Sequence, residues 1–569
     1  MGLSGAVRQI NAENWSISTG GQNDRYFRFC ANELQTLLAH RIGKKLPLDL
    51  KAVKKDSPVI LLDKCDPALG HESFRIVREK DVIRIQGGTP LGTLFGVYEF
   101  LQRYCDVWNV APGVIYTPRG KSLSFGKINL QMKPAFAVRI LYHYGWEATN
   151  QETKKIWDAF DIRNRVTING RSMFHVFLNP EYQATRQVRG FHNFYNYVPP
   201  AKYGKTHPEY FSMDKNGKRV MAENAGGQLC LSHPDVEEIV YKHLLSCIEK
   251  DRKIYGKRAP RIYDFSQLDN AYFICCCPGC KKIIAKYGNT DSGLMVYFIN
   301  RLARRVRKVY PGIMLRTFAY VNTEHLPSGI KVEDNVLIQL CDLYSVCNHT
   351  LPLSHPANKK RQRLVEDWAS IAKNLMIWDY ILQNGDLPVV PVDALIPDAK
   401  FFRKNNVKYI FMETEIRNNN PSAFEYLKNF LIAQIYFNPD QDLNKLLDVF
   451  CKGYYGVAHR EMRAYLDLLR KAQNENPTMD PRAWHGRMLV HINLKFLEQC
   501  KALVEKAMKR NKDPKVALRL LWERNVVNNG IARELLAYPA KEMERRQLLK
   551  QLLVDRIKVL KDRGLTPQR

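Results

Sequence analysis

Residues 407–413, VKYIFME, form a short apolar run that ends in a carboxylate. The length of this run and its β-branched and aromatic residues are typical of a buried strand. An acid at the end of such a strand is notable, because ligands of parallel α/β proteins bind at the carboxyl ends of the strands. Further runs of the same kind occur in the chain, and their number decides the predicted fold.

Seven other segments between about residues 135 and 420 have the character of buried strands, namely VRILYHYGW, SMFHVFLN, GQLCLS, RIYDFSQ, IMLRTFAY, NVLIQLC and LMIWDY. Amphipathic helical patterns lie between several of them, such as HPDVEEIVYKHLLSCIEK after the third and SGLMVYFINRLARRVRKVY after the fourth. Eight strands with intervening helices predict an α/β protein with a (β/α)8 TIM-type barrel. A long insertion, residues 179–227, follows the second strand, where a barrel builds its pocket.

The two ends of the chain have different patterns. The N-terminal part combines the helical FRFCANELQTLLAHRIG, the strand SPVILLD, the hairpin ESFRIVREKDVIRIQGG and the helical LGTLFGVYEFLQRYC. The C-terminal part is helical throughout. The sequence therefore predicts an N-terminal α/β domain at 1–127, a catalytic barrel at 128–420 and a C-terminal helical domain at 421–569.

Composition limits the functional classes. The 569 residues are 45% hydrophobic, which is enough for a folded protein of several domains. A net charge of +30 favours anionic partners, including acidic glycans. Most basic residues alternate with acidic ones, which favours a solvated cationic surface over a nucleic-acid groove. The sequence leaves the oligomeric state open.

Targeting signals are weak. No stretch of 18 apolar residues occurs, so no membrane span is expected. The start, MGLSGAVRQINAENW, lacks the pattern of a signal peptide. We therefore expect a cytoplasmic protein as the sequence stands, or a periplasmic or secreted one if a leader is removed.

The last residues of the predicted strands suggest a sugar site. Three acids, Asp269, Asp379 and Glu413, fall at the same predicted rim, although each could instead cap a helix. Polar and aromatic neighbours, which we predict to bind substrate, accompany them: His143, Trp146, His192, Asn270, Tyr320, Trp378 and Tyr380. Aromatic rings cover the apolar faces of sugars, and paired carboxyl groups cleave glycosidic bonds.

A cysteine-rich segment, CCCPGC at 275–280, directly follows the fourth strand. Its residues Cys275, Cys277 and Cys280 have a spacing that suits a structural zinc ion, with the fourth ligand expected from the strand-six loop: Cys347, His349 or His355. A disulfide and free thiols remain alternatives, and the odd total of 13 cysteines favours reduced thiols. No dissociable cofactor is expected.

Long ordered motifs identify a family. The segments CANELQTLLAHRIGKKLPL, GTLFGVYEFLQRYCDVWNVAPG, HPEYFSM, QLCLSHPDV, SQLDN with CCCPGC, IWDY and NPDQDLNKLLDVFCKGYYG resemble the family called domain of unknown function 4838. That family is associated with glycoside hydrolase family 163 and is similar in plan to the family 67 α-glucuronidases. The resemblance covers nearly the whole chain, and it implies an N-terminal α/β domain, a catalytic barrel and a helical C-terminal domain.

The resemblance also implies an activity. Characterised members are endo-β-N-acetylglucosaminidases that act on N-glycans, so a substrate-assisted mechanism with paired carboxylates is expected. The family's usual SQNDN stands here as SQLDN, IWDY is intact, and Glu413 survives in an altered strand ending. This implies that Asp269 is the acid or the amide-orienting group, that Glu413 is its partner, and that Asp379 is a third candidate. The cationic surface leaves an α-glucuronidase-like hydrolase of acidic glycans as an alternative. Leu268 replaces the family's asparagine and the residues around Glu413 are altered, so a non-catalytic carbohydrate-binding barrel is a second alternative.

Overall fold

The computed structural model describes residues 10–50, 57–118, 123–143, 150–167, 183–270, 272, 274–341, 351–381, 388–414, 422–476 and 492–563. Its strands are β1 (Ile10–Asn11), β2 (Ser16–Ser18), β3 (Leu48–Asp49), β4 (Val59–Leu62), β5 (Phe74–Glu79), β6 (Val82–Gly87), β7 (Trp108–Ala111), β8 (Val114–Tyr116), β9 (Ser124–Phe125), β10 (Asn129–Met132), β11 (Val138–Tyr142), β12 (Ile262–Asp264), β13 (Met314–Ala319), β14 (Val336–Cys341), β15 (Leu375–Tyr380) and β16 (Val407–Glu413).

Its α-helices are α1 (Arg25–Ile42), α2 (Pro90–Cys105), α3 (Gln151–Arg163), α4 (Phe194–Tyr197), α5 (Pro200–Tyr203), α6 (Pro234–Tyr255), α7 (Pro278–Lys286), α8 (Asp291–Val309), α9 (Lys359–Ile371), α10 (Leu395–Lys404), α11 (Glu425–Phe437), α12 (Leu443–Tyr455), α13 (His459–Glu475), α14 (Leu494–Arg510), α15 (Pro514–Glu534) and α16 (Glu542–Asp562). None of these helices has the length and apolar character that crossing a bilayer requires.

The N-terminal part contains a sheet of its own, with strand order β10-β5-β6-β4-β2-β3. The hairpin predicted from the sequence is confirmed as the antiparallel pair β5 and β6. Helices α1 and α2 follow the predicted helical patterns and bury their apolar faces in one core, which includes Leu34, Leu38, Phe95 and Phe100. Asp24 and Thr89 cap the two helices through their side-chain oxygens, which accordingly fixes where each helix begins.

The central sheet positions the candidate site. It has six parallel strands in the order β11-β16-β15-β14-β13-β12, which are the first, eighth, seventh, sixth, fifth and fourth of the predicted strands. The sheet is curled into a half-barrel. Glu413 pairs with Tyr142 on one side and Tyr380 on the other, so the carboxyl ends of these three strands lie at one edge.

The remaining two predicted strands differ from expectation. The second, SMFHVFLN, lies outside the described residues. The third, GQLCLS, is not a strand, since Leu229 forms only an isolated antiparallel bridge with Phe211. The free side of β12 is instead bridged in parallel by Ala184 at Ile262. The described residues therefore form a half-barrel, and the predicted closed barrel is not established by them.

Helices cover the convex face of the half-barrel. Strand residues that point outward, such as Leu315, Ile338 and Ile410, share one apolar core with α6, α8, α9 and α10. The same core extends to the C-terminal helices through Tyr455 and Leu497. The domain boundaries at 127/128 and 420/421 stay predictions.

Candidate active site at the carboxyl edge of the central sheet

Alternation along the strands divides the side chains of the central sheet between two faces. On the concave face, aromatic side chains form a second apolar cluster that is separate from the main core. Its largest members are Phe318, Tyr320, Trp378, Tyr409 and Phe411. An aromatic lining of this kind at the carboxyl edge of a parallel sheet is suited to bind the apolar face of a sugar.

Asp269 lies at this edge, just beyond β12. The hydroxyl group of Tyr320 donates a hydrogen bond to its Oδ1 over 3.2 Å. The Nε2 atom of His192 lies 3.9 Å from the same oxygen, and the Asp269 side chain is 60% exposed. The carboxylate is therefore both oriented by neighbours and open to a ligand.

Hydrogen bonds on both sides fix the backbone around Asp269. The Gln228 side chain accepts from the backbone N–H of Leu268 over 2.9 Å and donates to the carbonyl group of the same residue over 3.2 Å. The Gln267 amide donates to the carbonyl group of Tyr320 and accepts from Thr323. The bonds of Gln267 couple the loop after β12 to the loop after β13, so they hold Tyr320 beside the Asp269 carboxylate.

His192 is held in a defined orientation. Its backbone N–H donates to Ser266 Oγ and its Nδ1 lies 2.9 Å from the carbonyl oxygen of Gln267, so Nδ1 is the protonated nitrogen. Burial lowers the pKa of His192, an effect that the nearby Asp269 carboxylate partly opposes. The neutral imidazole therefore presents an unprotonated Nε2 towards Asp269 near pH 7.

Two residues beside Asp269 have a left-handed backbone conformation. His192 and Val321 both have φ of 53°, in the left-handed region that side chains other than glycine rarely occupy. A β-branched residue there is unusual and costs on the order of 1–3 kcal/mol. Val321 directly follows Tyr320, and thus both strained residues flank the contacts of Asp269. Such strain persists only where many surrounding contacts hold the backbone in place, and it is common at binding sites.

Glu413, the second acid at this edge, is oriented by an indole group. Trp378 Nε1 donates a hydrogen bond of 2.9 Å to Glu413 Oε2. The Trp378 ring packs on Phe411 with centroids 4.4 Å apart and on Phe191 with centroids 5.2 Å apart. Since Phe191 also contacts the His192 ring at 6.0 Å, a continuous aromatic wall connects the partners of Glu413 and Asp269.

Two predicted site residues point away from this wall. Asp379 follows Trp378 directly and faces the helices, where Arg361 Nη2 of α9 donates to its Oδ1 over 2.8 Å in a buried ion pair. His143 is 1% exposed, and its Nε2 lies 3.0 Å from Asp161 Oδ1 of α3. The structure therefore does not bring Asp379 or His143 together with Asp269 and Glu413, and it does not favour their predicted contacts with substrate.

Replacing Asp379 with asparagine tests this assignment. We expect the free energy of unfolding to fall by about 3 kcal/mol, because the guanidinium group of Arg361 stays buried without its carboxylate. Urea unfolding measures the loss. Asp334→Asn is the matched control, since its exposed pair with Lys373 should change stability by less than about 0.5 kcal/mol. A stable Asp379→Asn protein that has lost turnover would contradict a structural role.

The other predicted residues have mixed outcomes. Asn270 uses its amide internally, with Nδ2 donating to two backbone carbonyl groups and Oδ1 accepting from Gln228. Tyr380 stacks on Trp378 at 6.2 Å and lines the wall. Leu268 is buried in the main core, so its departure from the family motif does not face a ligand. Trp146 lies outside the described residues.

The structure adds contacts that the sequence analysis missed. Phe318 contacts both His192 and Trp378, with centroid separations of 5.2 and 5.8 Å. Phe411 lies under the Trp378 ring. Both precede a predicted site residue by two positions on a strand, Tyr320 and Glu413, so strand periodicity could have identified them. No comparable signal marks Phe191, which lies in a loop.

Four buried cysteines meet beside the Asp269 loop. They are the three predicted residues Cys275, Cys277 and Cys280 together with Cys230, and their sulfur atoms all lie within 4.8 Å of one another. Of the three expected fourth ligands, His355 alone lies within the described residues. His355 instead accepts the N–H of Ala357 at a helix start, while Cys347 and His349 lie outside the described residues.

Comparison with solved structures finds similar chains, including CpGH84B, a chitobiase and a GH138 enzyme. CpGH84B is 11% identical, with a TM-score of 0.50 and coverage of 99% of this chain and 95% of that one. The chitobiase FjGH20 of Flavobacterium johnsoniae is 12% identical, with a TM-score of 0.46 and coverage of 96% and 95%. A GH138 enzyme targeting pectin rhamnogalacturonan II is 10% identical, with a TM-score of 0.45 and coverage of 96% and 74%.

These neighbours are glycoside hydrolases, and the likeness to CpGH84B shows that the chain has a fold of the glycoside hydrolase type. The chain belongs to the family described as Domain of unknown function (DUF4838), whose family model matches residues 110–467. The predicted family is thereby confirmed. No curated protein matches the chain.

Proposed function

We propose that the protein is a glycoside hydrolase that cleaves glycans, with Asp269 and Glu413 as its catalytic carboxyl groups. The observation that carries this proposal is the pairing of each acid with an aromatic donor on one concave face. Tyr320 donates to Asp269, and Trp378 donates to Glu413. Two oriented carboxyl groups beside an aromatic wall match what glycosidic cleavage requires.

We also infer that the half-barrel closes into the predicted (β/α)8 barrel. The N–H of Thr167 donates to the carbonyl group of Arg139 on the free side of β11 over 2.9 Å. The N–H of Thr185 donates to the carbonyl group of Ile262 on the free side of β12, also over 2.9 Å. The chain thus leaves one open edge of the sheet and reaches the other, and the predicted second strand, which lies outside the described residues, falls between Thr167 and Thr185 in the sequence.

The substrate class that fits best is a glycan with a 2-acetamido sugar, as the family resemblance implies. In the substrate-assisted route, the acetamido oxygen bonds to the anomeric carbon while the glycosidic bond breaks. One carboxyl group gives its proton to the departing oxygen, and the other orients the acetamido N–H. Water then opens the cyclic intermediate and restores the proton. This route needs no protein nucleophile, which leaves both acids of the site for these two roles.

The apparent support for a non-catalytic barrel is reduced by the structure. One of the two departures from the family motif, alongside the altered residues around Glu413, is Leu268, which lies in the hydrophobic core and is 2% exposed. A side chain buried at position 268 does not reach a bound sugar, so the replacement of asparagine by leucine removes no hydrogen bond to substrate. Catalysis therefore remains the better supported function.

A substrate panel tests the proposal. The full chain is incubated with aryl β-N-acetylglucosaminides, with a glycopeptide that carries an intact N-glycan, and with an oligosaccharide that bears α-linked glucuronic acid, and products are identified by mass spectrometry. We expect cleavage next to N-acetylglucosamine. Release of glucuronic acid alone would instead establish the α-glucuronidase alternative. Binding of these sugars by calorimetry without turnover of any of them would contradict an enzyme and support a binding protein.

A further inference from the structure

The cysteine cluster beside the candidate site has the dimensions of a metal centre. Cys230 Sγ lies 3.6 Å from Cys277 Sγ and 3.9 Å from Cys280 Sγ. Tetrahedral zinc with Zn–S bonds of about 2.3 Å places its sulfur ligands about 3.8 Å apart. The four side chains come from two segments that are distant in sequence, and all four are buried. We propose that Cys230, Cys275, Cys277 and Cys280 bind one structural zinc ion.

The backbone around the cluster is organised to stabilise thiolates. The N–H of Cys280 donates to Cys277 Sγ over 3.4 Å, and the N–H of Met213 donates to Cys275 Sγ over 3.3 Å. Cys277 is the N-cap of α7, so its sulfur also lies at the positive end of that helix. Amide donors and a helix N-terminus reduce the repulsion among four thiolates around a divalent ion.

Glycine and proline in the CCCPGC segment allow it to approach the segment that carries Cys230 closely. Pro278 occupies the first turn of α7, where a missing N–H costs nothing. A Cβ atom at Gly279 would lie 2.6 Å from Ser232 Oγ, so a larger residue there would force Ser232 away from its place beside Cys230. The two segments therefore meet closely enough for one ion to hold both.

The ligand set selects the metal and its role. Thiolates are soft ligands that prefer zinc or iron among the available divalent ions, and four of them leave no open position for substrate or water. The metal is accordingly structural, and zinc is the ion that we assign. Each thiol gives up its proton on binding, so the affinity for zinc falls as the pH is lowered.

The position of the zinc ion gives it a positioning role, which rests on the proposed function of Asp269. Gln228, two residues before Cys230, makes the hydrogen bonds that clamp Leu268 and Asn270. Cys275 follows the same loop on its other side. Zinc thus closes a ring of contacts around Asp269, and its loss should loosen the loop before it unfolds the protein.

Metal analysis of the purified full chain tests the proposal. We expect one zinc ion per chain, and the absorption bands of tetrahedral cobalt–thiolate coordination after exchange with cobalt. Cys230→Ser and Cys280→Ser should lose the metal. Cys276→Ser is the matched control, because Cys276 lies within the same CCCPGC segment but outside the cluster, and this variant should retain it. A chain purified with iron, or without metal in medium supplied with zinc, would overturn the proposal, as would zinc that persists in both ligand variants.

If the cysteine variants do not fold, a measurement on the unsubstituted chain still tests the proposal. An organomercurial reagent is titrated into the native protein while a zinc-sensitive dye reports release. We expect zinc release in step with the modification of four thiols; release without thiol modification would overturn the assignment. Because neither measurement depends on turnover, a zinc-loaded chain that cleaves no glycan would remove the proposed function and leave the zinc site standing.

Discussion

Replacing Asp269 with asparagine is expected to lower kcat/KM for an intact glycan by about 10³-fold, because a positioned acid or base contributes about 10²–10⁴ in rate. Asparagine keeps the size of the side chain and can still accept the hydrogen bond from Tyr320. The substitution therefore removes the proton and the charge while leaving the neighbours in place. Initial rates and circular dichroism on the same sample separate this loss from misfolding.

The leaving group then distinguishes the two roles open to Asp269. A glycan leaving group needs a proton from the enzyme, whereas a nitrophenolate leaves without one. If Asp269 is the proton donor, the aryl glycoside should lose far less than the glycan; if it orients the acetamido group, both should lose equally. Asp334→Asn, at the opposite end of the sheet, is the control and should keep full activity. Losses below tenfold on both substrates would contradict any catalytic role for Asp269.

Strand prediction succeeded where apolar runs pair with neighbours on both sides. Six of the eight predicted strands occur in the central sheet, each within two residues of its predicted limits except for the longer first and fourth segments. The prediction for GQLCLS failed because its backbone pairs with a neighbouring loop segment. The backbone of this segment bonds to residues 210–212 instead of a barrel strand, since Cys230 N–H donates to the carbonyl group of Tyr210 and Ser212 N–H donates to that of Gln228. Local propensity cannot reveal such partners.

The predicted acids lie at the carboxyl edge of the sheet, but their side chains point to different faces. Reading the last residues of each strand selected Asp269 and Glu413, and the structure places both at one edge of the sheet, since parallel strands align their carboxyl ends. The same approach selected Trp378 together with Asp379, although consecutive residues on a strand point to opposite faces. Trp378 accordingly bonds to Glu413 on the concave face, whereas Asp379 bonds to Arg361 on the convex face. Strict alternation could have excluded one of the two from the sequence.

Contacts between distant segments were beyond the sequence. Cys230 precedes the CCCPGC segment by 45 residues, and nothing in the spacing distinguishes it from other buried cysteines. Three ligands could be proposed because they share a local motif. The fourth depends on how the chain before α6 packs against α7, which is a property of the tertiary structure. Phe191 in the aromatic wall is a second example of such a contact.

Glu413 and Trp378 should act as one unit, which gives the second large effect. Replacing Glu413 with glutamine is expected to lower kcat by about 10²–10³, because a charged group that stabilises the reacting sugar is lost. Replacing Trp378 with phenylalanine keeps an aromatic ring in the wall but removes the indole N–H. A hydrogen bond to a charged group contributes about 1.5–3 kcal/mol, so kcat should fall by about 10- to 100-fold with little change in KM.

The double variant tests whether the two losses share a cause. If Trp378 acts by orienting the Glu413 carboxylate, then Trp378→Phe should cost little further once Glu413→Gln has removed the charge, and the coupling energy in the double-mutant cycle should be large. Trp368→Phe is the matched control, since its indole donates to the carbonyl group of Glu324 on the convex face. It should lower stability and leave kcat unchanged. Additive losses from Glu413→Gln and Trp378→Phe would show that the indole acts directly on the sugar. They would contradict the proposal that Trp378 orients the Glu413 carboxylate.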